Sequence, residues 1–180
     1  MIVVAIIGVL AAIAIPAFMK HLTKAKTAEA RELIKKVYDG ARSYWMDPNT
    51  PPGTIVALAS QFPQPSQADT ADSACCAMGG TIEKCTPSPD LWSEAGPGPK
   101  DAWEALHFSV DDPHYYAYGY VASTPVAGDT TGQNNFIALA RGNLDCDTNY
   151  STFSMYGAVD ATYADGPAGT AALTRKNELE

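Results

Sequence analysis

Met1-Ile-Val-Val-Ala-Ile-Ile-Gly-Val-Leu-Ala-Ala-Ile-Ala-Ile-Pro-Ala-Phe-Met19 decides how the rest of the chain is read, because these 19 residues carry no charged side chain. As a helix rising about 1.5 Å per residue they reach about 28 Å, close to the roughly 30 Å hydrocarbon core of a bilayer. The run is rich in Ile, Val, Leu and Phe, each favouring insertion by roughly 0.3 to 0.6 kcal/mol, so the sum is several kcal/mol with no charge opposing it. Lys20, Lys24 and Lys26 follow at once and mark the cytoplasmic or interfacial edge. A cleavable secretory signal has the reverse order, with a basic region before the apolar run and a small-residue cleavage site after it. Pro16 removes one backbone hydrogen bond inside the run, so a kink or local opening is expected there.

Past Lys20 the apolar positions Leu22, Ala25, Ala30, Leu33, Ile34, Val37, Ala41 and Tyr44 recur at three- and four-residue steps with charges between them. The helix therefore continues in amphipathic form until Asp47-Pro48 stops it. One helix of about 45 residues would be about 70 Å long, apolar all round in its first half and on one side in its second. Charge divides the same way. The whole chain carries 12 Lys and Arg against 20 Asp and Glu. Residues 1–46 are net +4, and the remainder is net −12. An acidic body of that kind repels nucleic acid backbones, so no nucleic acid partner is expected.

The run from Met1 to Phe18 closely resembles the N-terminal helix of type IV pilins, and the order of helix, loop and strand-rich region extends the likeness loosely over the remaining residues. The resemblance implies an α+β, pilin-like fold in which a long N-terminal helix, half membrane-spanning and half amphipathic, packs on a small antiparallel β-sheet. It implies a precursor in the inner membrane, then extraction into an extracellular filament whose core is a bundle of these helices. Ile2, Val3, Ile6, Ile7, Gly8, Leu10, Ile13, Pro16 and Phe18 would form the surface that buries against other copies. A prepilin peptidase and the pilus assembly machinery are the further partners that the family implies, with adhesion, twitching motility, DNA uptake and secretion as its range of roles. The acidic head makes direct DNA capture the least attractive of these. Mature pilins begin with a methylated aromatic residue followed shortly by a glutamate. Neither is found here, so Met1 is read as an internal methionine and the sequence as N-terminally truncated relative to the family's mature start.

Four segments follow: residues 1–19 as the membrane or filament-core helix, 20–47 as its amphipathic continuation, 48–103 as a long αβ-loop, and 104–180 as an antiparallel sheet with the C-terminal region. The loop is rich in Pro and Gly, as in Pro51-Pro52-Gly53 and Gly96-Pro97-Gly98-Pro99, and loops of such length in a compact domain are usually functional or stapled. Strand signals begin at Ala105–Val110 and recur at His114–Val121, Asn135–Arg141 and Ser151–Val159, where aromatic and β-branched residues gather between turn residues. Three or four antiparallel strands are expected, their apolar face packing on Leu33, Val37, Ala41 and Tyr44.

Cys75, Cys76, Cys85 and Cys146, in an acidic and exported head, read most simply as two disulfides. Three pairings are possible. A bridge between adjacent Cys75 and Cys76 would strain the backbone, which favours one of them joining Cys85 and the other Cys146. Four-thiolate zinc ligation is the competing reading, weakened because adjacent cysteines fit a tetrahedron poorly.

Chemistry beyond this is sparse. His21, His107 and His114 read as surface or strand-packing residues, and Asp111, Asp112 and His114 as a turn rather than a metal site. Asp145 and Asp147 flank Cys146 without a recognised calcium loop. No nucleophile elbow, phosphate loop or dinucleotide fingerprint occurs, so neither a catalytic role nor a cofactor is expected. Tyr116, Tyr118 and Tyr120 fall on one strand face, read as half-buried with hydroxyls reaching water. Asn149-Tyr150-Ser151 matches a short glycosylation acceptor pattern. The leading expectation is a structural filament subunit acting in attachment or motility. A type II secretion pseudopilin or minor pilin is the near alternative, and a membrane-anchored binding protein with an acidic head is the alternative of another class.

Overall fold

The computed structural model describes residues 1–47, 62–63, 84–87, 92, 101–123, 135–144, 146, 149–159 and 173–177. Helix α1 spans Ile2–Met46 and runs unbroken through Pro16. Its last turn closes where Asp47 N–H donates to the Ser43 carbonyl at 3.0 Å. Asp47 itself is extended, at φ −75° and ψ 135°, the conformation that a following proline imposes. The expected stop is thus where the chain places it.

The sheet is an antiparallel meander of four strands in sequence order: β1 Ala117–Ser123, β2 Asn135–Gly142, β3 Ser151–Ala158 and β4 Thr174–Lys176. Along β2 and β3 every second residue is buried, as a sheet with one covered face requires. Large and small residues alternate across that face. Tyr118 opposes Ala140, which opposes Phe153; Tyr120 opposes Ala138, which opposes Met155. At the third row Phe136 opposes Gly157, whose missing Cβ leaves room for the Phe136 ring. The architecture is α+β, a long N-terminal helix on a small antiparallel sheet, as a pilin-like fold requires.

The core lies between this face and one side of α1. Ile34, Val37 and Ala41 are fully buried there, with Tyr38 packing its ring 5.2 Å from that of Phe136. Leu33 packs against the core from its margin, whereas Leu22 and Ala25 are exposed. The buried stripe therefore starts later than the sequence pattern suggests, at Thr27, whose hydroxyl donates to the Lys24 carbonyl at 2.8 Å.

Two strand expectations are corrected. Ala105–Val110 is not a strand. Asp101–Ala105 forms a short helix, α2, closed by hydrogen bonds from Leu106 to Ala102, His107 to Glu104 and Phe108 to Trp103. His107 then takes a φ of 49° to leave the helix. The fourth strand is instead Thr174–Lys176, paired with β3. β1 also begins three residues later than expected, because His114 forms an isolated bridge with Cys85 before the strand starts. The short helix straddles the boundary drawn at residue 103, and most of the 48–103 loop lies outside the described residues.

Candidate functional site

The first half of α1 and the second half have opposite surroundings. An 18-residue apolar window of the helix, long enough to cross a membrane, has none of its length buried within the protein. Exposure reaches 79% at Ile2, 71% at Ile13 and 62% at Phe18. Val3, Ile6, Ile7 and Leu10 are likewise exposed, as are Gly8 and Pro16. Ile2, Ala5, Ile6, Val9 and Leu10 line a shallow apolar groove along one side. Nothing lies within 4 Å of where a Cβ on Gly8 would stand. All nine residues expected in the assembly surface thus sit on one continuous, uncovered stretch. Leaving this many large aliphatic side chains in water would cost about 1.5 to 3 kcal/mol for each one that could be fully buried, so the surface calls for a lipid or protein environment.

Where α1 meets the head, the joint is polar as well as apolar. Glu29 Oε1 accepts from the Tyr115 backbone N–H at 2.9 Å and from the Tyr118 hydroxyl at 3.2 Å. The carboxylate is half-buried, so one helix side chain fixes the entry to β1 in position. Tyr116, Tyr118 and Tyr120 do share a face, but they are fully buried rather than half-buried. Tyr116 is paired with Ser151 Oγ at 3.4 Å, and that serine donates to the Gly142 carbonyl at 3.0 Å. Burial pushes all three hydroxyls above the ordinary tyrosine value; the nearby negative charge of Glu29 adds to the effect at Tyr116 and Tyr118. The period-two pattern gave the face. It could not give the depth, which depends on α1 covering the sheet.

The histidines act as local structure. His114 is buried, its Nδ1 donating to the Asp112 carbonyl at 3.0 Å and its ring 6.0 Å from that of Tyr118. Asp111 and Asp112 are exposed beside it, and His21 and His107 are exposed elsewhere. Of the four cysteines, Cys75 and Cys76 lie outside the described residues, and neither Cys85 nor Cys146 is a free thiol. Cys85 and His114 exchange both backbone hydrogen bonds, which pins that part of the loop to the head. Cys146 has a φ of 60°, a left-handed turn just past β2. Asp145 and Asp147 are outside the described residues. In the glycosylation pattern Asn149 is exposed, whereas the Ser151 side chain is buried and held by its hydrogen bonds.

An aromatic seam missed in the sequence extends the core on the covered face of the sheet. Trp92, Trp103 and Phe108 pack mutually with ring centroids 5.2 to 5.4 Å apart, and Phe108 meets Tyr118 at 5.6 Å. Residues this far apart in sequence have no shared period to reveal them.

Among known proteins, the chain is 49% identical over 47 residues to a type IV major pilin protein, PilA, of Myxococcus xanthus. That match covers 26% of this chain and 21% of the relative's length. No family model matches the chain, and no solved structure matches it. The chain therefore resembles a type IV pilin in two respects, this stretch of sequence and the long apolar helix mounted on a small sheet.

Proposed function

We propose that the protein is a structural subunit of a type IV pilus-like filament, polymerising through the surface of Ile2, Val3, Ile6, Ile7, Gly8, Leu10, Ile13, Pro16 and Phe18. The observation that carries this reading is the division of α1: one half is consumed by the head, and the other is apolar on every side and covered by nothing. Such a half has two suitable environments, a bilayer and a bundle of its own copies. A filament subunit uses both, first as an inner-membrane precursor and then in an extracellular pilus that serves attachment or motility. The match to a pilin favours a structural role over catalysis, and the buried histidine and tyrosines serve packing.

In this reading the head and its loop form the filament exterior, stapled by two disulfides, with one of Cys75 and Cys76 joined to Cys85 and the other to Cys146. The absence of a free thiol at Cys85 and Cys146 supports disulfide bonding at both positions. Each closure would contribute about 2 to 4 kcal/mol, a large share of the stability of a small head. Processing by a prepilin peptidase and extraction by assembly machinery follow from the resemblance.

Imaging of sheared surface filaments with an antibody to the head tests the reading. Labelled filaments are the expected result. Short or scarce filaments in a secretion complex would favour the pseudopilin or minor-pilin alternative, and a monomer confined to the inner membrane would favour an anchored binding protein and overturn assembly.

A further inference from the structure

Between Met19, the end of the apolar run, and Thr27, the first side chain buried under the head, α1 crosses Lys20-His21-Leu22-Thr23-Lys24-Ala25-Lys26. These residues span about 10 Å of helix, and they include three lysines, a histidine and no acid. Lys20, His21 and Lys24 are exposed. Lys26 holds its Nζ 4.9 Å from the centroid of the Tyr115 ring, and Lys84, arriving from the loop, places a second ammonium 4.9 Å from the same centroid. Two like charges are thus gathered on one aromatic ring at the base of the head. The nearest acid on the helix, Glu29, turns its Oε1 inward to Tyr115 and Tyr118. Thr23 satisfies its own hydroxyl by donating to the Met19 carbonyl at 3.2 Å, which suits a helix passing through a poorly hydrated layer.

We infer that this collar is a binding surface for the headgroups of anionic phospholipids. The inference rests on the membrane stage of the function proposed above and adds a lipid class to it. The headgroup layer on each side of a bilayer is roughly 5 to 8 Å deep, so a collar of about 10 Å next to a helix that fills the hydrocarbon core spans its full depth. Lysine ammoniums suit phosphodiesters as point charges. Each one near an anionic surface enriches binding by about fivefold. The body beyond the collar, residues 27–180 at net −11, is repelled by such a surface. The collar supplies the attraction that keeps the neck at the headgroups, and extraction into a filament has to break it.

The test uses the full chain in nanodiscs of phosphatidylcholine alone and of phosphatidylcholine with one third phosphatidylglycerol. Spin-labelled forms of both lipids report which one the protein immobilises. At low salt the wild type should retain phosphatidylglycerol over phosphatidylcholine by on the order of a hundredfold, and the ratio should fall to about fivefold in K20Q/K24Q, which keeps only Lys26. Both substituted side chains are exposed, so the head should keep its wild-type circular dichroism. A wild-type protein that inserts without preference, or a preference unchanged in K20Q/K24Q, would overturn the collar while leaving the membrane stage intact. Failure to insert into either disc would remove the membrane stage and the collar with it.

Discussion

One helix lives in two environments. From Thr27 to Ala41, α1 gives Thr27, Ala30, Ile34, Val37, Tyr38 and Ala41 to a closed core. From Ile2 to Phe18 it gives equally apolar residues to nothing in its own chain. Composition alone does not separate them, since Ile34 is fully buried and Ile13 is 71% exposed. The difference lies in what surrounds the apolar residues. In the second half charges interrupt them and leave one narrow stripe; in the first half nothing interrupts them and no single side is chosen. A striped helix fits one partner sheet. A helix apolar all round fits many identical neighbours or lipid, and this is why the first half, rather than the head, carries the functional proposal.

The two halves should respond very differently to alkali. Residues 2–19 have no titratable side chain, whereas the head buries Tyr116, Tyr118 and Tyr120 with hydroxyls raised above their ordinary value of 10.0 by desolvation. A raised folded pKa means that the stability is fully present below pH 10 and is lost as pH rises above it, because the unfolded chain then releases protons that the native head retains. With three such groups the loss should approach about 4 kcal/mol per pH unit above pH 10. Denaturant titration of the head in detergent, followed by tryptophan fluorescence, should show that steep limb, and Tyr118→Phe should make it shallower by about one third. An alkaline limb unchanged by that substitution would mean that the buried hydroxyl is not the group responsible.

A core truncation sharpens the same division at somewhat smaller cost. Ile34→Ala should lower head stability by about 3 kcal/mol through lost burial and a cavity, and Ile6→Ala should leave it within about 0.5 kcal/mol. Under the proposed function the order reverses for assembly, with Ile6→Asp abolishing filaments while the isolated head still unfolds at the wild-type denaturant concentration. Equal loss of head stability in the Ile6 and Ile34 variants would show that the free half packs on the head after all.

Much of this division was legible in the residues. The uncharged run, the three- and four-residue steps and the Asp47-Pro48 stop gave α1 almost to its observed end, and aromatic and β-branched residues gathered between turn residues gave β2 and β3. Where those strand signals misled, the cause is physical. Leu106, Phe108 and Val110 are buried and His107 and Ser109 exposed, the period of a half-covered strand, yet no described strand pairs with them. A side chain's pattern records which way it faces and not whether its backbone has a ladder. Thr174–Lys176 shows the converse, a paired edge strand whose three side chains are all exposed and so carry no apolar signal. The candidate surface stands in the sequence as one uncharged run, Met1–Phe18, and its nine named residues are exposed in the structure. The part played by Glu29 was not legible, since its two hydrogen bonds reach residues more than eighty positions away.

The finest comparison is between two glycines on α1. A Cβ on Gly40 would run into the backbone carbonyl of Leu106, whereas one on Gly8 would meet nothing within 4 Å. Backbone cannot rotate aside as a flexible side chain can, so Gly40→Ala has to push α1 away from the segment after α2. Overpacking of that kind costs about 1 to 3 kcal/mol, set against about 1 kcal/mol that alanine returns through helix propensity. The net expectation is a head destabilised by about 1 kcal/mol, with Leu106 and Trp103 displaced. Gly8→Ala has only the favourable side of that balance in the isolated chain, so head stability should not move. In a filament of close-packed helices the absence of a side chain at Gly8 lets backbones approach, and the same substitution should there weaken assembly. A Gly8→Ala variant neutral in the monomer and defective in filaments would separate the two halves at a single added methyl group, and one neutral in both would remove Gly8 from the assembly surface.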